Sequence, residues 1–343
     1  PHISCKADRH TPHDEKMWWC LSYGQVGFRV GMMYDLFRAD MTAAETKVFF
    51  DLLDRWLMPE ALDAVDNPPW WAGKPWSNWN GVCAGGMGVM ALALYDDHPD
   101  AGKLLPLVEK SVGAFVDGFR ESGGGFTEGV SYWTFGMEFA MRYLLSWENA
   151  TGMKHPAFKV EQLGKSLNWA LDFHSLSFGD GGNWGPTCFF FKVADRMNLR
   201  KTILHGAMYF EARDRIGWPQ KQWAVKERHY VEILYAADVI PTAEEVAREK
   251  DRRAQSKVPV ARVYNPMGWA AIADDDTFPD LRMVVRGGSS EIKGHGMVDL
   301  LSIRCQINGM TMITGQLPGP HLLTTYTPRG HEIFSRSPGG HST

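Results

Sequence analysis

Four short segments concentrate polar, aromatic and glycine residues beyond what an ordinary core requires. The first is Trp76-Ser77-Asn78-Trp79-Asn80-Gly81-Val82-Cys83, which leads into an apolar stretch. Asn80 suits either of two roles: N-cap of the following helix, or an amide donating to a substrate carboxylate. Trp76 and Trp79 offer faces that stack on sugar rings. The second runs from Gly123-Gly124-Gly125 through Glu128, Tyr132 and Trp133. It brings an acid, a phenol and an indole to a backbone free to approach a ligand. The bland alternative is a glycine turn before a helix with core aromatics. Tyr132 and Trp133 are adjacent, so a helix would send at most one of them inward. The third is Lys293-Gly294-His295-Gly296-Met297-Val298-Asp299. A histidine between two glycines has little to pack it in a core and is suited to act as acid, base or charge partner. The fourth runs from Tyr326 past His331 to His341 among prolines and glycines, which taken alone reads as a surface loop.

The elements that must position these groups change character along the chain. Residues 101–120 place Leu104, Leu105, Val108, Val112, Phe115, Val116 and Phe119 at spacings of three and four, an amphipathic helix. Residues 43–62, 85–95, 137–147 and 160–173 carry similar stripes. Gly/Pro/Asn/Asp turns separate them, including Gly179-Asp180-Gly181-Gly182. The charged stretch 242–257 reads as a linker helix. Beyond it, 258–264, 268–273 and 281–286 are short and β-rich. Leu301, Ile303, Cys305 and Ile307 alternate with polar residues, predicting a strand with one buried face. Asn308-Gly309 then makes a hairpin to 310–313. The expectation is a multidomain α+β chain, helical over 1–257 and antiparallel β over 258–343.

Composition narrows the class. The 343 residues are 44% hydrophobic and 22% charged, which excludes a disordered or fibrous chain. With 36 basic and 40 acidic residues the net charge is −4, so binding nucleic acid by counterion release is disfavoured. No apolar run is long enough to span a membrane. Five scattered cysteines form no CxxC pair. Fourteen tryptophans give a first hint of carbohydrate. The chain opens at Pro1 and stops at Thr343 within a β-rich stretch, so it reads as part of a longer protein. Nucleophile-elbow, P-loop, HExxH and dinucleotide fingerprints are all missing from the sequence. Asp274-Asp275-Asp276 lacks the spaced ligands of a calcium loop and reads as a turn.

The order of the Asn-Trp-Asn-Gly-Val-Cys run, the Gly-Gly…Glu-Gly…Tyr-Trp run and the His-Gly-x-x-Asp-Leu-x-Ser strand entry resembles the heparinase II/III-like polysaccharide lyases, over nearly the whole chain. The resemblance implies an incomplete α/α toroid followed by the start of an antiparallel β-sandwich, with the site in the cleft between them. It also implies a periplasmic or secreted location, and an acidic polysaccharide or oligosaccharide as partner. The chemistry implied is β-elimination next to a uronic acid. Such a reaction needs donors that neutralise the carboxylate, a base for C5–H and an acid for the leaving oxygen. By resemblance Asn80 neutralises, Tyr132 transfers protons and His295 assists. Tyr326 stands with them as a catalytic candidate, and Trp76, Trp79, Glu128 and Trp133 as substrate-binding residues. A phenol with a pKa near 10 needs nearby cations to act as a base, and Lys293 and Arg286 are the sources in view.

Two departures stand out. Gly81 occupies a position where the family often carries histidine, and Met297 stands where it often shows the second histidine of His-Gly-His. The hairpin 310–315 has no acid, so only His341 remains of the zinc ligands found in relatives. No metal and no other cofactor is expected. A uronyl C5-epimerase shares the architecture and the first proton abstraction, and a non-catalytic acidic-glycan-binding protein is the alternative from another class.

Overall fold

Among the described residues, ten α-helices precede one five-stranded antiparallel sheet, a mixed α+β architecture. The computed structural model describes residues 20–179, 181, 185–215, 238–276, 279–289, 294–297, 299 and 300–315. By contacts the chain divides into two compact units: residues 1–118 with 135–157, and residues 119–134 with 158–343.

The first unit opens with α1 (Leu21–Phe37), a helix that the apolar stripes did not announce. Its buried face carries Gly24, Gly27 and Gly31 alongside Tyr23, Phe28 and Tyr34. A Cβ on Gly24 would come within 2.7 Å of the Cys83 Cα, and one on Gly31 within 2.7 Å of the Met90 Cα. α1 therefore lies backbone to backbone against residues 82–90. The stripe at 43–62 becomes two helices, α2 (Ala43–Trp56) and α3 (Met58–Asp66). Pro59 sits in the first turn of α3, where its missing N–H costs nothing. Thr42 and Glu45 close a reciprocal capping box on α2. A π-helical turn (Asn80–Ala84) feeds α4 (Gly85–Ala93). α5 (Leu105–Glu121) and α6 (Val130–Thr151) each contribute to both units.

In the second unit α7 (Glu161–Phe173), α8 (Phe189–Arg196), α9 (Arg200–Arg215) and α10 (Ala243–Ala254) precede the sheet. α10 is the charged stretch read as a linker. It is capped by Thr242 and Glu245, and it is not a bare linker: Arg253 is buried and meets Glu249, Asp276 and His205.

The strands β1 (Val260–Tyr264), β2 (Trp269–Ala273), β3 (Leu281–Arg286), β4 (Ile303–Ile307) and β5 (Met310–Ile313) form a meander in chain order. One sheet face packs on α7 and the segment after it. Trp269 lies 6.0 Å from Trp169, 5.4 Å from Phe173 and 5.0 Å from Phe178, ring centroid to centroid. Arginines complete that layer. Arg262 pairs with Asp172 at 2.7 Å, Arg282 donates to the Leu171 and His174 carbonyls, and Arg304 donates to the Ser177 carbonyl.

This arrangement corrects the expected polarity of β4. Cys305 is buried, but Leu301 and Ile307 are 65% and 40% exposed, while Ser302 is buried and Arg304 half-buried. The alternating pattern was right and its apolar side is the outer one. The inner face of the sheet carries Arg282 and Arg304, whose guanidinium groups donate to backbone carbonyls at the ends of helical segments.

Candidate active site

Tyr132 sits in the first turn of α6, and the fold of the second unit brings His295 onto its face. The two rings stack with centroids 3.6 Å apart and planes 8° from parallel. Both side chains are half-buried. The start of α6 is held by Ser177, whose hydroxyl accepts from the Val130 N–H at 2.9 Å. Gly129, just before the helix, has φ +93° and lies against the Phe178 carbonyl. A helix N-terminus carries a partial positive charge, so an anion forming on Tyr132 lies at the favourable end of α6.

Glu128 is buried, and the loop bearing His295 closes over it. Gly294 has φ +54°, and a Cβ there would stand 2.9 Å from the Glu128 Cδ, so a side chain before His295 would be strained and would displace the Glu128 carboxylate. The loop is fastened from beneath by Arg286, which donates to the Met297 carbonyl and pairs with the fully buried Asp299. Burial lowers the Arg286 guanidinium to about 10. Arg286, expected as a source of activating charge, is thus the anchor of the His295 loop.

Trp133 points the other way. It is 1% exposed, and its indole N–H donates to Ser166 Oγ at 3.1 Å. The adjacency argument holds here, with Trp133 inward and Tyr132 at the half-buried position. The triple glycine serves packing. A Cβ on Gly123 would come within 2.6 Å of the Asn265 carbonyl carbon, and one on Gly124 within 2.6 Å of the Lys165 Cβ.

In the first unit Asn80 is fully buried and engaged by its own turn. Its Oδ1 accepts from the Gly73 N–H at 3.1 Å, and its Nδ2 donates to the Lys74 and Ser77 carbonyls at 2.7 and 3.4 Å. Neither the N-cap role nor a free amide describes this; Asn80 clamps the loop of residues 73–77. That loop presents an aromatic cluster. Trp70 lies 6.2 Å from Trp76 and 5.5 Å from Trp79, and the Lys74 ammonium is 5.3 Å from the Trp70 ring and 5.9 Å from that of Trp76. Trp79 is buried, Trp76 half-buried, and Trp70 and Lys74 exposed.

Gly81 has no room for any side chain. A Cβ there would collide with the Gly136 carbonyl and stand 2.7 Å from its carbon. The backbone of α6 occupies the space that a histidine would need.

Sequence reasoning missed three participants. Gly181 packs on the site, since a Cβ there would lie 3.3 Å from the Tyr132 ring, yet the run containing it reads as an ordinary turn. Trp70 and Lys74 flank the first motif and lack a motif of their own. Tyr326, Lys293, His331 and His341 lie outside the described residues. Among the described residues no group of three or more His, Cys, Asp or Glu side chains is placed to hold a metal ion. No helix there is long and apolar enough to cross a membrane.

A scan against protein-family models finds no match to this chain, and a search of curated proteins finds none either.

Proposed function

We propose that this chain belongs to a polysaccharide lyase that cleaves a uronate-containing polysaccharide by β-elimination, without a metal. The observation that carries the reading is the face-to-face stack of Tyr132 and His295, from distant parts of the sequence, beside the buried Glu128. The N-terminus of α6 favours the phenolate of Tyr132 that abstracts the C5 proton, and the His295 ring stacked on its face holds the phenol in place. The same phenol can then return a proton to the leaving glycosidic oxygen. Within the first unit, taken by itself, Trp70 and Trp76 suit the apolar face of a sugar ring, and the Lys74 ammonium suits an anionic group of an acidic glycan. Asn80 acts in this reading as a positioning residue for that loop.

The finer architecture, an incomplete α/α toroid followed by a β-sandwich, is part of the same proposal. The outward face of the sheet supports it: Val263, Ile272, Leu281, Ile307, Met310 and Ile313 are 40–66% exposed. A face so apolar suits a second sheet. A periplasmic or secreted location goes with such a substrate.

The test is to incubate the protein with a panel of uronate polymers and follow the ultraviolet absorbance of the unsaturated product. Production by wild type and its loss in Tyr132→Phe is the expected result. Exchange of the C5 hydrogen with solvent deuterium, without unsaturation, would point to an epimerase instead. Binding with neither product would leave a glycan-binding protein.

A further inference from the structure

The second unit contains a cavity of about 450 Å³ whose lining includes neither Tyr132, Glu128 nor His295. Its size falls in the roughly 300–1,000 Å³ range of small-ligand pockets. It lies where the triple-glycine turn meets the edge strand β1 and one face of α7. Gln162, Lys165 and Asn168 recur every third residue and so share that helix face. Arg120 comes from the end of α5, and Arg262, Tyr264 and Asn265 from β1 and its turn.

The lining is chemically one-sided: three cations, three carboxamides and a phenol, with no carboxylate. Asp172 stands behind it and accepts from both Arg262, at 2.7 Å, and the Tyr264 hydroxyl, at 2.6 Å. Those two side chains are thereby fixed in place before any ligand arrives. The Lys165–Glu161 pair at 2.9 Å is exposed at both ends, so its exchange for a ligand anion costs little.

We propose that this cavity is a second binding site, for an anionic sugar unit of an acidic glycan. Guanidinium and ammonium groups match its carboxylate. Carboxamides both donate to and accept from ring hydroxyls. An inorganic anion would leave the carboxamides unused, and an apolar ligand would strand the cations. The ligand class rests on the lyase reading; the charge and shape of the cavity do not. Gly123 and Gly124 acquire a reason in this picture, since the turn must press on Asn265 and Lys165 to form the wall.

The experiment is calorimetric titration of the protein with an unsulfated uronate tetrasaccharide, with a neutral tetrasaccharide of equal length as control, all in the Tyr132→Phe background so that the probe survives. The double variant Arg120→Glu/Lys165→Glu changes only exposed side chains, and an unchanged melting temperature verifies its fold. The expected result is uronate binding in two phases that both fall with added salt, of which one, the cavity's, weakens on the order of tenfold in the double variant while the other is unchanged. Unchanged affinity in the double variant, equal binding of the neutral probe, or no uronate binding at all would overturn the proposal. Lost binding in the double variant, with no product ever formed by wild type, would sink the lyase reading and leave the cavity standing. Unchanged binding alongside a Tyr132-dependent lyase activity would do the reverse.

Discussion

Substituting Gly81 tests how tightly the first unit is closed around that position. Ordinary van der Waals contact begins near 3.4 Å, whereas a Cβ on Gly81 would lie 2.7 Å from the Gly136 carbonyl carbon and 2.8 Å from its Cα. Backbone would have to move by 0.7 Å (3.4 − 2.7), and more for the carbonyl oxygen. α6 has little room to retreat, because a Cβ on Gly136 itself would lie 2.6 Å from the Phe115 ring. Overpacking of this kind costs about 1–3 kcal/mol. Replacing a helical glycine by alanine returns about 1 kcal/mol through backbone entropy. Gly81→Ala should therefore lose up to about 2 kcal/mol net. Gly81→His, with a ring to place as well, should lose more and gain no turnover. The assay is urea unfolding, reading the midpoint with the slope held as a check on two-state behaviour. A midpoint for Gly81→Ala equal to or above wild type would refute the reasoning, because it would mean that α6 yields freely there.

Three further outcomes are expected. Tyr132→Phe should lower turnover by a factor of about 10² to 10⁴ while leaving binding of an acidic oligosaccharide nearly intact; near-normal turnover would remove Tyr132 from the chemistry. Asn80→Ala should lose about 1–3 kcal/mol in urea unfolding, because buried backbone groups of the 73–77 turn lose their partner; an unchanged midpoint would show that the turn holds without its clamp. His205 is buried and accepts from Arg253, and burial, reinforced by that positive charge, lowers it from 6.5 to about 3. The unfolded chain takes up this proton first, so stability from neutral His205 is complete above about pH 6.5 and drains away as pH falls toward 3. Between about pH 7 and about pH 5 wild type should lose about 2 kcal/mol more than His205→Gln, and parallel pH profiles would count against it.

Much of the fold was legible because bulky side chains carry the signal. The strand 281–286 and the hairpin 310–313 were read at their observed bounds, and the stripe at 101–120 falls within a short 3₁₀ turn and α5. α1 was silent because half of its buried face is Gly24, Gly27 and Gly31, which register as absence in any pattern of apolar bulk and leave Tyr23, Phe28 and Tyr34 as too sparse a stripe. The outer and inner faces of β4 were exchanged, because arginine reads as solvent-facing until backbone carbonyls are there to receive it. The site shows the same division. The motifs pointed to Tyr132, Glu128 and His295, but nothing in them says that Arg286 would be taken up by Asp299, or Asn80 by its own turn. Such contacts depend on where distant backbone ends up.

The chain-order meander also has a kinetic meaning. Among the described residues each strand pairs with its sequence neighbours, so the sheet can form through short loop closures, which are fast. Tyr132 and His295 meet only across a long stretch of chain that includes, among the described residues, four complete helices and three strands. Closing that separation is the slower event. On refolding, then, strand content should return ahead of activity, and a pulse of protease applied in the interval should cut the His295 loop before the sheet beneath it.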